Sequence, residues 1–505
     1  MILLDQKGIT LKEWEEVVFN FEKIEIEKNL LNKIAEQRKK IEKIIDSDTF
    51  YGINTGFGEN AFIKINGESI DIIQKNIVIS HSAGVGDCMN PYIVRGIILL
   101  RLNSLLNPHS CVRVELIDAL TKLLNSKIVP SVKKFGSVGA SGDLSPLSDI
   151  ACFISGNYHK DEVFVFDNNR WNKVSFNEVK KKIPYVELRA KEGLALINGT
   201  QATTSIGIHN LLNVKDLIDL SNIALALTVE VMRSKDSPFD TRLLSLKKHQ
   251  GPLLIGKHIK KIIKGSRRIN TTDRVQDPYS IRCYPQVIGA IVDNIRWVEE
   301  ILLDEANSIS DNPIMVGDQI ISGGNFHAEP VGFALELLNM STVEIGNISD
   351  RRSFLLLNPA KNKLFNPFLA EIPGEMNGMM IAQYTTASLA NYNKTLSMPS
   401  IIDTIPTSAD QEDHVSMAYN SALRGEYIIQ NVKYILSIEI LISLQALKFF
   451  KGEGLGVVTS EVFSFLDNKI PFYRDHIQLN VLIERIREII EEYNFKSLIP
   501  SLWKM

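Results

Sequence analysis

The chain has 505 residues, of which 45% are hydrophobic, and its formal net charge at pH 7 is −3. This composition is sufficient for a large buried core, while the nearly balanced charges argue against a nucleic-acid-binding surface or a solvating acidic tail. We therefore expect no nucleic-acid partner and a small neutral or zwitterionic ligand. Only four residues precede Asp5, too few for the apolar core of a signal peptide, so the sequence predicts a cytoplasmic protein.

The N-terminal part of the chain alternates helical patterns with one glycine-rich segment. Residues 11–45 place apolar side chains at helical spacing among many Lys and Glu, which predicts amphipathic surface helices. The segment YGINTGFGEN (51–60) contains three glycines among aromatic residues and is typical of a loop with unusual backbone angles. Residues 70–127 are again predicted to be mostly helical.

Residues 136–149 read GSVGASGDLSPLSD and contain the tripeptide Ala140-Ser141-Gly142. Ser145 is a suitable N-cap and Pro146 suits the first position of a helix. Asp149 would then lie in the first turn, where the helix dipole favours an anion. The sequence thus predicts that the tripeptide faces the positive end of a helix.

The rest of the chain is dominated by long helical patterns. Residues 161–176 predict a β-hairpin around Asn168-Asn169, but from about residue 200 onward apolar positions recur every three or four residues. Residues 434–450 contain Glu439, Gln445 and Lys448, which favours a core helix over a membrane span, and we expect no membrane partner. We predict a mainly α, long-helix bundle. We expect one compact catalytic unit with two regions. The N-terminal region (1–200) carries the tripeptide loop, and residues 201–505 form the long-helix bundle and a C-terminal helical region.

Several familiar chemistries do not fit these residues. The sequence has no phosphate-binding GxxxxGK[ST] pattern and no HExxH pattern. Around Ser141, Asp143 stands where the serine-hydrolase pattern GxSxG has its second glycine. The four cysteines are scattered without CxxC spacing, so we predict neither a disulfide framework nor a zinc site. The sequence indicates no metal and no external cofactor.

Polar residues that could form a site lie in the loops between the predicted helices. Arg282 could bind a substrate carboxylate through two parallel hydrogen bonds, which suits an amino acid. Taken alone, Arg282 could equally belong to a structural ion pair, and Tyr51 could simply pack in its loop. The candidates are Tyr51, His81, Asn198, Gln276, Tyr279, Arg282, Phe326 and Glu412.

Six blocks of sequence resemble the aromatic amino acid ammonia-lyase family, which includes histidine, phenylalanine and tyrosine ammonia-lyases and related aminomutases. They occur in order over roughly residues 50–420, and GASGDL is the most specific of them. The blocks are YGINTGFG at 51, GSVGASGDLSPLSD at 136, GLALINGTQ at 193, QDPYSIRCYPQ at 276, GGNFHAEP at 323 and TSADQEDHVSM at 407. The resemblance implies a carbon–nitrogen lyase that assembles as a homotetramer with active sites shared between subunits.

The resemblance also implies an internally formed prosthetic group. The amide nitrogen of Gly142 would attack the carbonyl of Ala140, and loss of two waters would produce a methylidene-imidazolone (MIO). The substrate amine would add to the methylidene carbon derived from Ser141. Tyr51 would take the β-proton as general base, which requires a pKa well below the usual value near 10.

The remaining roles follow from the same resemblance. Asn198 and Arg282 match positions that hold the substrate carboxylate, Gln276 and Tyr279 lie near the prosthetic group, and Phe326 walls the pocket. The residues implied in catalysis are Tyr51, Ala140, Ser141, Gly142, Tyr279 and Glu412, and those implied in substrate binding are His81, Asn198, Gln276, Arg282 and Phe326.

Two positions in the sequence bear on the identity of the substrate. The pair Ser80-His81 and the carboxylate of Glu412 resemble the histidine-directed type, which implies conversion of L-histidine to trans-urocanate in histidine degradation. His81 could instead be a core histidine, and Glu412 could belong to an ion network at a helix end. The chain departs from that type at Asp149, Tyr392 and Met398, where histidine, glutamate and histidine are usual.

Three alternatives therefore stay open. The first is a tyrosine or phenylalanine ammonia-lyase, and the second is a 2,3-aminomutase with the same prosthetic group. The third is an inactive helical scaffold, which is disfavoured because every matched catalytic position holds the expected residue, Tyr51 and Ser141 included.

Overall fold

The computed structural model describes residues 1–45, 49–65, 67, 69–474 and 476–504. Its architecture is mainly helical, which confirms the predicted fold class. The helices, in chain order, are α1 (Leu11–Val18), α2 (Lys28–Ile44), α3 (Ser69–His81), α4 (Pro91–Leu105), α5 (Val114–Asn125), α6 (Leu144–Ile154), α7 (Phe176–Val179), α8 (Glu192–Ile197), α9 (Gln201–Met232), α10 (Thr241–Leu244), α11 (Gln250–Ile262), α12 (Tyr279–Arg282), α13 (Tyr284–Ala306), α14 (Glu329–Leu357), α15 (Pro359–Asn362), α16 (Met380–Leu396), α17 (Ala418–Lys448), α18 (Val457–Asp467), α19 (Leu479–Ile489) and α20 (Tyr493–Lys496).

The strands are short and form small sheets. β1 pairs with β2 in parallel, whereas β3 with β5, β4 with β6, β6 with β7 and β8 with β9 are antiparallel pairs. The strands are β1 (Ile2–Leu4), β2 (Ile24–Ile26), β3 (Val85–Cys88), β4 (Ile128–Pro130), β5 (Lys133–Phe135), β6 (Glu162–Asp167), β7 (Arg170–Ser175), β8 (Ile314–Val316) and β9 (Gln319–Ile321).

The chain forms two compact units. The first unit comprises residues 1–209, 299–336 and 399–423, and the second comprises 210–298, 337–398 and 424–505. The first unit thus includes the whole predicted N-terminal region, and the boundary at residue 200 stays a prediction. All nine strands described above lie in the first unit.

The N-terminal segment of the first unit shows how local sequence sets its elements. Thr10 and Glu13 form a capping box that starts α1, and α1 buries Trp14, Val17 and Val18. The predicted helices over 11–45 are present, but strand β2 separates them. The predicted hairpin is also confirmed: β6 and β7 are joined by Asn168 and Asn169, whose φ angles of 50° and 60° suit a tight hairpin turn.

The start of α6 differs from the prediction. The helix begins at Leu144 with Asp143 at its N-cap position, so Ser145 and Pro146 lie inside the first turn and Asp149 lies beyond it. Asp143 is held at this position by the hydrogen bonds that its carboxylate accepts from Ser137 and Thr203, which the local sequence does not show, and the carboxylate does not cap α6. Pro146 is tolerated there because the first N–H groups of a helix have no intrahelical partner.

A buried ion pair explains the polar residue in the apolar segment of α17. Glu439 receives two hydrogen bonds from Arg352 at 2.6 and 2.7 Å, and both side chains are fully buried. Thr228 and Ser349 donate to the same carboxylate. Helix α17 is long and apolar enough to cross a membrane by length and composition, yet 72% of its most apolar window is buried within the protein. We interpret it as the predicted core helix, since buried charge persists where it is paired.

The four cysteines are free thiols, as the sequence spacing predicts. Cys111 and Cys152 are buried, and Cys88 and Cys283 are partly buried.

Candidate active site

The tripeptide lies in a loop whose backbone requires glycine. Gly139 and Gly142 have φ angles of +66° and +76°, in the left-handed region. A Cβ atom on Gly142 would lie 2.4 Å from the backbone nitrogen and oxygen of Gly199. The loop therefore packs directly against the connection between α8 and α9, and the small residues of the tripeptide allow this approach.

Asp143 fixes the loop to the start of α9. Its backbone N–H donates to the Gly199 carbonyl at 2.7 Å. Its carboxylate accepts hydrogen bonds from the Thr203 N–H at 2.7 Å, the Thr203 hydroxyl at 2.8 Å and the Ser137 hydroxyl at 2.8 Å. Burial raises the pKa of Asp143, and these hydrogen bonds oppose the rise. The residue after the tripeptide is thus held at the positive end of a long helix.

The other side of the loop rests on residues 415–417. The Met417 N–H donates to the Val138 carbonyl at 2.9 Å, and the Ser416 hydroxyl donates to the Gly139 carbonyl at 2.9 Å. Ala140 packs in a small apolar cluster with Val138, Val415 and Met417. The segment after Glu412 therefore forms part of the support for the tripeptide.

Ser141 contacts two of the predicted site residues. Its hydroxyl donates a short hydrogen bond to Glu412 Oε1. Its carbonyl oxygen accepts a hydrogen bond from Asn198 Nδ2 at 2.7 Å. The second carboxylate oxygen of Glu412 accepts the Thr407 hydroxyl at 2.6 Å, and Thr407 and Glu412 also form backbone hydrogen bonds with each other. The structure thus brings Ser141, Asn198 and Glu412 together.

Tyr51 lies in the same neighbourhood but with an unfavourable electrostatic setting for a base. Its hydroxyl accepts a weak hydrogen bond from the Gly58 N–H at 3.4 Å. Burial raises the pKa of Tyr51, the Gly58 bond opposes this, and the Glu412 carboxylate raises it further. The lowered pKa that a general base requires is therefore not supplied by these surroundings.

His81 ends α3 and is also within the electrostatic influence of Glu412. Burial lowers the pKa of His81, whereas the Ile77 carbonyl and the Glu412 carboxylate oppose the shift. Its Nδ1 lies 3.0 Å from the Ser80 hydroxyl. Whether Nδ1 donates to or accepts from Ser80 depends on the tautomer of the ring.

The segment that follows His81 is anchored by Asp149. The carboxylate of Asp149 accepts the Ser82 hydroxyl at 2.5 Å and the Lys133 N–H at 3.3 Å. It also pairs with the Lys160 ammonium at 2.6 Å. Asp149 is 1% exposed, so the cation compensates a charge that would otherwise be buried alone.

Phe326 is half-buried in the loop that precedes α14, and the next residue links this loop to the Glu412 segment. His327 Nε2 lies 3.3 Å from the His414 carbonyl oxygen, and the two imidazole rings are 5.7 Å apart. The ligand atoms of His327, Glu329 and His414 lie within 4.8 Å of one another, a grouping that could hold a metal ion. Sequence spacing did not indicate this grouping, because it joins two distant segments.

Three predicted residues, Gln276, Tyr279 and Arg282, belong to the second unit and are not among the side chains gathered around Glu412. The Arg282 guanidinium lies 4.7 Å from the centre of the Tyr279 ring, and its Nε donates to the Asp277 carbonyl at 3.3 Å. Tyr279 is 69% exposed. Within the described ranges no carboxylate pairs with Arg282, which argues against the structural ion pair and leaves its Nη groups available to an anion.

Several supporting residues were not predicted from sequence. Thr407 lies inside the matched block TSADQEDHVSM, and Asp143 lies inside GASGDL, so both had a local signal. Lys160 had none, because it lies in an ordinary polar stretch outside every block. The departures Tyr392 and Met398 lie in the second unit, where they are 57% and 67% exposed.

Known proteins resemble this chain over most of its length. The family model described as aromatic amino acid lyase matches residues 9–468. The histidine ammonia-lyase of Caldanaerobacter subterraneus subsp. tengcongensis is 37% identical over 507 residues, which cover 97% of this chain and 98% of that protein.

Two solved structures show the same fold. The histidine ammonia-lyase of Trypanosoma cruzi has a TM-score of 0.87 and 32% identity, covering 99% of this chain and 94% of that one. The tyrosine aminomutase of Streptomyces globisporus has a TM-score of 0.91 and 28% identity, covering 99% of this chain and 98% of that one. By the match over most of its length and by its identity to full-length relatives, the chain belongs to the aromatic amino acid lyase family.

Proposed function

We propose that this protein eliminates ammonia from L-histidine to give trans-urocanate. The observation that carries the proposal is the contact between Ser141 and Glu412, with His81 and Tyr51 both within the influence of the same carboxylate. Relatives named histidine ammonia-lyase, similar over nearly the full chain, support this substrate.

The loop geometry fits cyclisation of Ala140-Ser141-Gly142 to the methylidene-imidazolone. Gly142 is held in a left-handed conformation, which no other residue could adopt so close to Gly199. Once formed, the group supplies an electrophilic carbon to the substrate amine, a reactivity that no unmodified side chain offers. No external cofactor is required.

The chain's own residues supply binding and proton transfer. Asn198 Nδ2 already donates to the Ser141 carbonyl oxygen, where it would stabilise developing negative charge. This contact supports a role at that oxygen in place of the carboxylate-binding role that the resemblance implies. His81 and Glu412 offer polar groups of complementary character to an imidazole side chain, and an apolar ring would leave the Glu412 carboxylate without a new partner.

Tyr51 is the proposed base for the β-proton. Its pKa is raised in the described surroundings, so a nearby positive charge must lower it before it can act. We propose that Arg282 supplies this charge together with carboxylate binding, and that Tyr279 and Gln276 accompany it. In a homotetramer with shared sites, these three residues would come from a different subunit than Ser141.

The proposal is tested by offering the purified protein histidine, tyrosine and phenylalanine separately. We expect ultraviolet absorbance of an unsaturated product with histidine, and Ser141→Ala should abolish it while circular dichroism shows an intact fold. A β-amino acid product would replace the proposal with an aminomutase, and turnover retained by Ser141→Ala would contradict the mechanism.

Mass spectrometry of the intact chain tests the prosthetic group independently. The wild-type chain should be lighter than its sequence by two water molecules, and Ser141→Ala should have its full sequence mass. An unmodified wild-type mass would favour the inactive scaffold.

A further inference from the structure

The second unit contains a cavity with an unbalanced charge. Its volume is about 770 Å³, and four cationic side chains but only one carboxylate line it. Within the described residues, no ion pair engages any of the four cations. The charged lining residues are Arg233, Arg267, Arg268, Lys451 and Glu453. Four cations beside a single lining carboxylate repel one another, so this arrangement is stabilised when an anion joins it.

Two of the guanidinium groups share one aromatic ring. Arg268 lies 4.3 Å from the centre of the Phe450 ring and Arg233 lies 5.7 Å from it. Stacking on the ring holds both groups in place without neutralising them. Burial lowers the pKa of Arg268, and the positive charge of Arg233 lowers it further, while Glu230 opposes the shift.

Arg268 retains unused hydrogen-bonding capacity. Its Nε donates to the Glu230 carbonyl at 2.9 Å, and its Nη1 makes a long contact of 3.5 Å with the Glu453 carbonyl. Its Nη2 is buried, yet no partner for it is found among the residues that the structure describes. A buried donor without an acceptor is costly, so a rotation of the guanidinium that brings Nη2 to an anion in the cavity would be favourable.

Backbone hydrogen bonds hold together the segments that carry these cations. The Arg267 N–H donates to the Gly454 carbonyl at 2.8 Å, and the Thr272 N–H donates to the Arg233 carbonyl at 3.1 Å. Gly454 has a φ of +79°, and a Cβ there would lie 3.3 Å from Arg268 Cγ. The backbone segments that carry Arg233, Arg267 and Arg268 are thus held together before a ligand arrives, which reduces the ordering cost of binding.

We propose that this cavity binds a small molecule that bears a phosphate or pyrophosphate group. Planar guanidinium groups match the spacing of phosphoryl oxygens, and a single carboxylate would leave most of the four cations without a counter-charge. The chain as a whole has a net charge of −3, so this is a local site and not part of a general basic surface. The site uses none of the residues of the proposed function.

The proposal is tested by isothermal titration calorimetry of the full-length protein with inorganic pyrophosphate, without divalent metal. We expect saturable binding to the wild type, and at least about tenfold weaker binding by Arg268→Gln, because a charged hydrogen-bond donor is lost. Lys451→Gln should also weaken binding. Lys257→Gln removes the same charge from an exposed position on α11 and should leave affinity unchanged. Absence of binding to the wild type would overturn the proposal.

Two further measurements distinguish a defined site from misfolding and from general charge screening. If Arg268→Gln fails to fold by circular dichroism, the comparison of Lys451→Gln with Lys257→Gln decides the matter, and equal losses in both would refute a defined site. ATP should compete with pyrophosphate, whereas sodium chloride at equal ionic strength should not. Displacement by chloride would show general screening and contradict the proposal. The experiment measures binding of pyrophosphate and not turnover of histidine. A negative result would therefore contradict this proposal without bearing on the proposed histidine reaction.

Discussion

The hydroxyl of Ser82 donates a hydrogen bond of 2.5 Å to the carboxylate of Asp149, which joins the segment just after His81 to helix α6. Asp143 alone separates the tripeptide from the start of helix α6, so the carboxylate of Asp149 connects the two parts of the first unit that carry His81 and Ser141. Asp149 departs from the usual histidine of the histidine-directed type. The structure explains how an aspartate is accommodated, since Lys160 supplies the compensating charge.

Asp149→Asn should weaken both stability and substrate binding. The amide can still accept from Ser82, but Lys160 loses its counter-ion, which we expect to cost about 1 to 3 kcal/mol of unfolding free energy because a partly buried charged group is left without its partner. A displaced His81 should raise KM for histidine more than it lowers kcat. Urea denaturation and steady-state kinetics measure the two effects. The double variant Asp149→Asn/Lys160→Gln should recover part of the stability, and an unchanged KM would argue against a positioning role.

Gly142→Ala should prevent formation of the prosthetic group. The added Cβ would meet the Gly199 backbone at 2.4 Å, so the loop must shift away from α9. Intact-mass spectrometry should then show the full sequence mass, without loss of two waters. Gly324→Ala is the matched control, because among the described residues no atom lies within 4 Å of the position that its Cβ would take. A Gly142→Ala chain that still loses two waters would contradict this account of the loop.

Thr407→Val should lower activity, because the Glu412 carboxylate would lose a hydrogen bond that orients it. The valine lacks the hydroxyl that donates to Glu412 Oε2 at 2.6 Å, and a hydrogen bond to a charged group contributes about 1.5 to 3 kcal/mol. We expect kcat/KM for histidine to fall by roughly tenfold or more. Thr407→Ser keeps the hydroxyl and should restore most of the activity. Equal losses in both variants would contradict this role of the hydrogen bond, because Thr407→Ser retains the hydroxyl that donates it.

His258 in the second unit should make stability depend on pH. Burial lowers the pKa of this imidazole from 6.5 to about 4, the charge of Lys261 adds to the shift, and the Pro500 carbonyl opposes it. The unfolded chain therefore binds the proton at higher pH than the folded chain does. The associated stability is fully present above pH 6.5 and is lost as the pH falls through 4.

Urea denaturation at several pH values checks this expectation. A shift of this size corresponds to roughly 3 kcal/mol of unfolding free energy. His258→Gln should flatten the dependence between pH 6.5 and 4, because the glutamine does not titrate. His249→Gln, at an exposed position, should behave like the wild type. An identical pH profile for wild type and His258→Gln would refute the assignment.

Local patterns in the sequence predict those elements that depend on neighbouring residues. The hairpin around Asn168-Asn169 follows from two residues that tolerate positive φ, and the helical segments follow from apolar spacing. The sequence predicts a later start for α6 than the structure has, because the anchoring of Asp143 by Thr203, sixty positions away, leaves no signal in the neighbouring residues. Local propensity cannot include a partner that distant.

The sequence by itself determined the helical fold class and the family, because each depends on residue types at fixed spacing along the chain. The tertiary structure alone decided that Glu412 contacts Ser141, that Asp149 is paired with Lys160, and that four cations of the second unit share one cavity. These relationships join segments up to 271 residues apart. Hydrogen bonds and charges act over a few ångströms of space, so only the folded chain shows which groups meet.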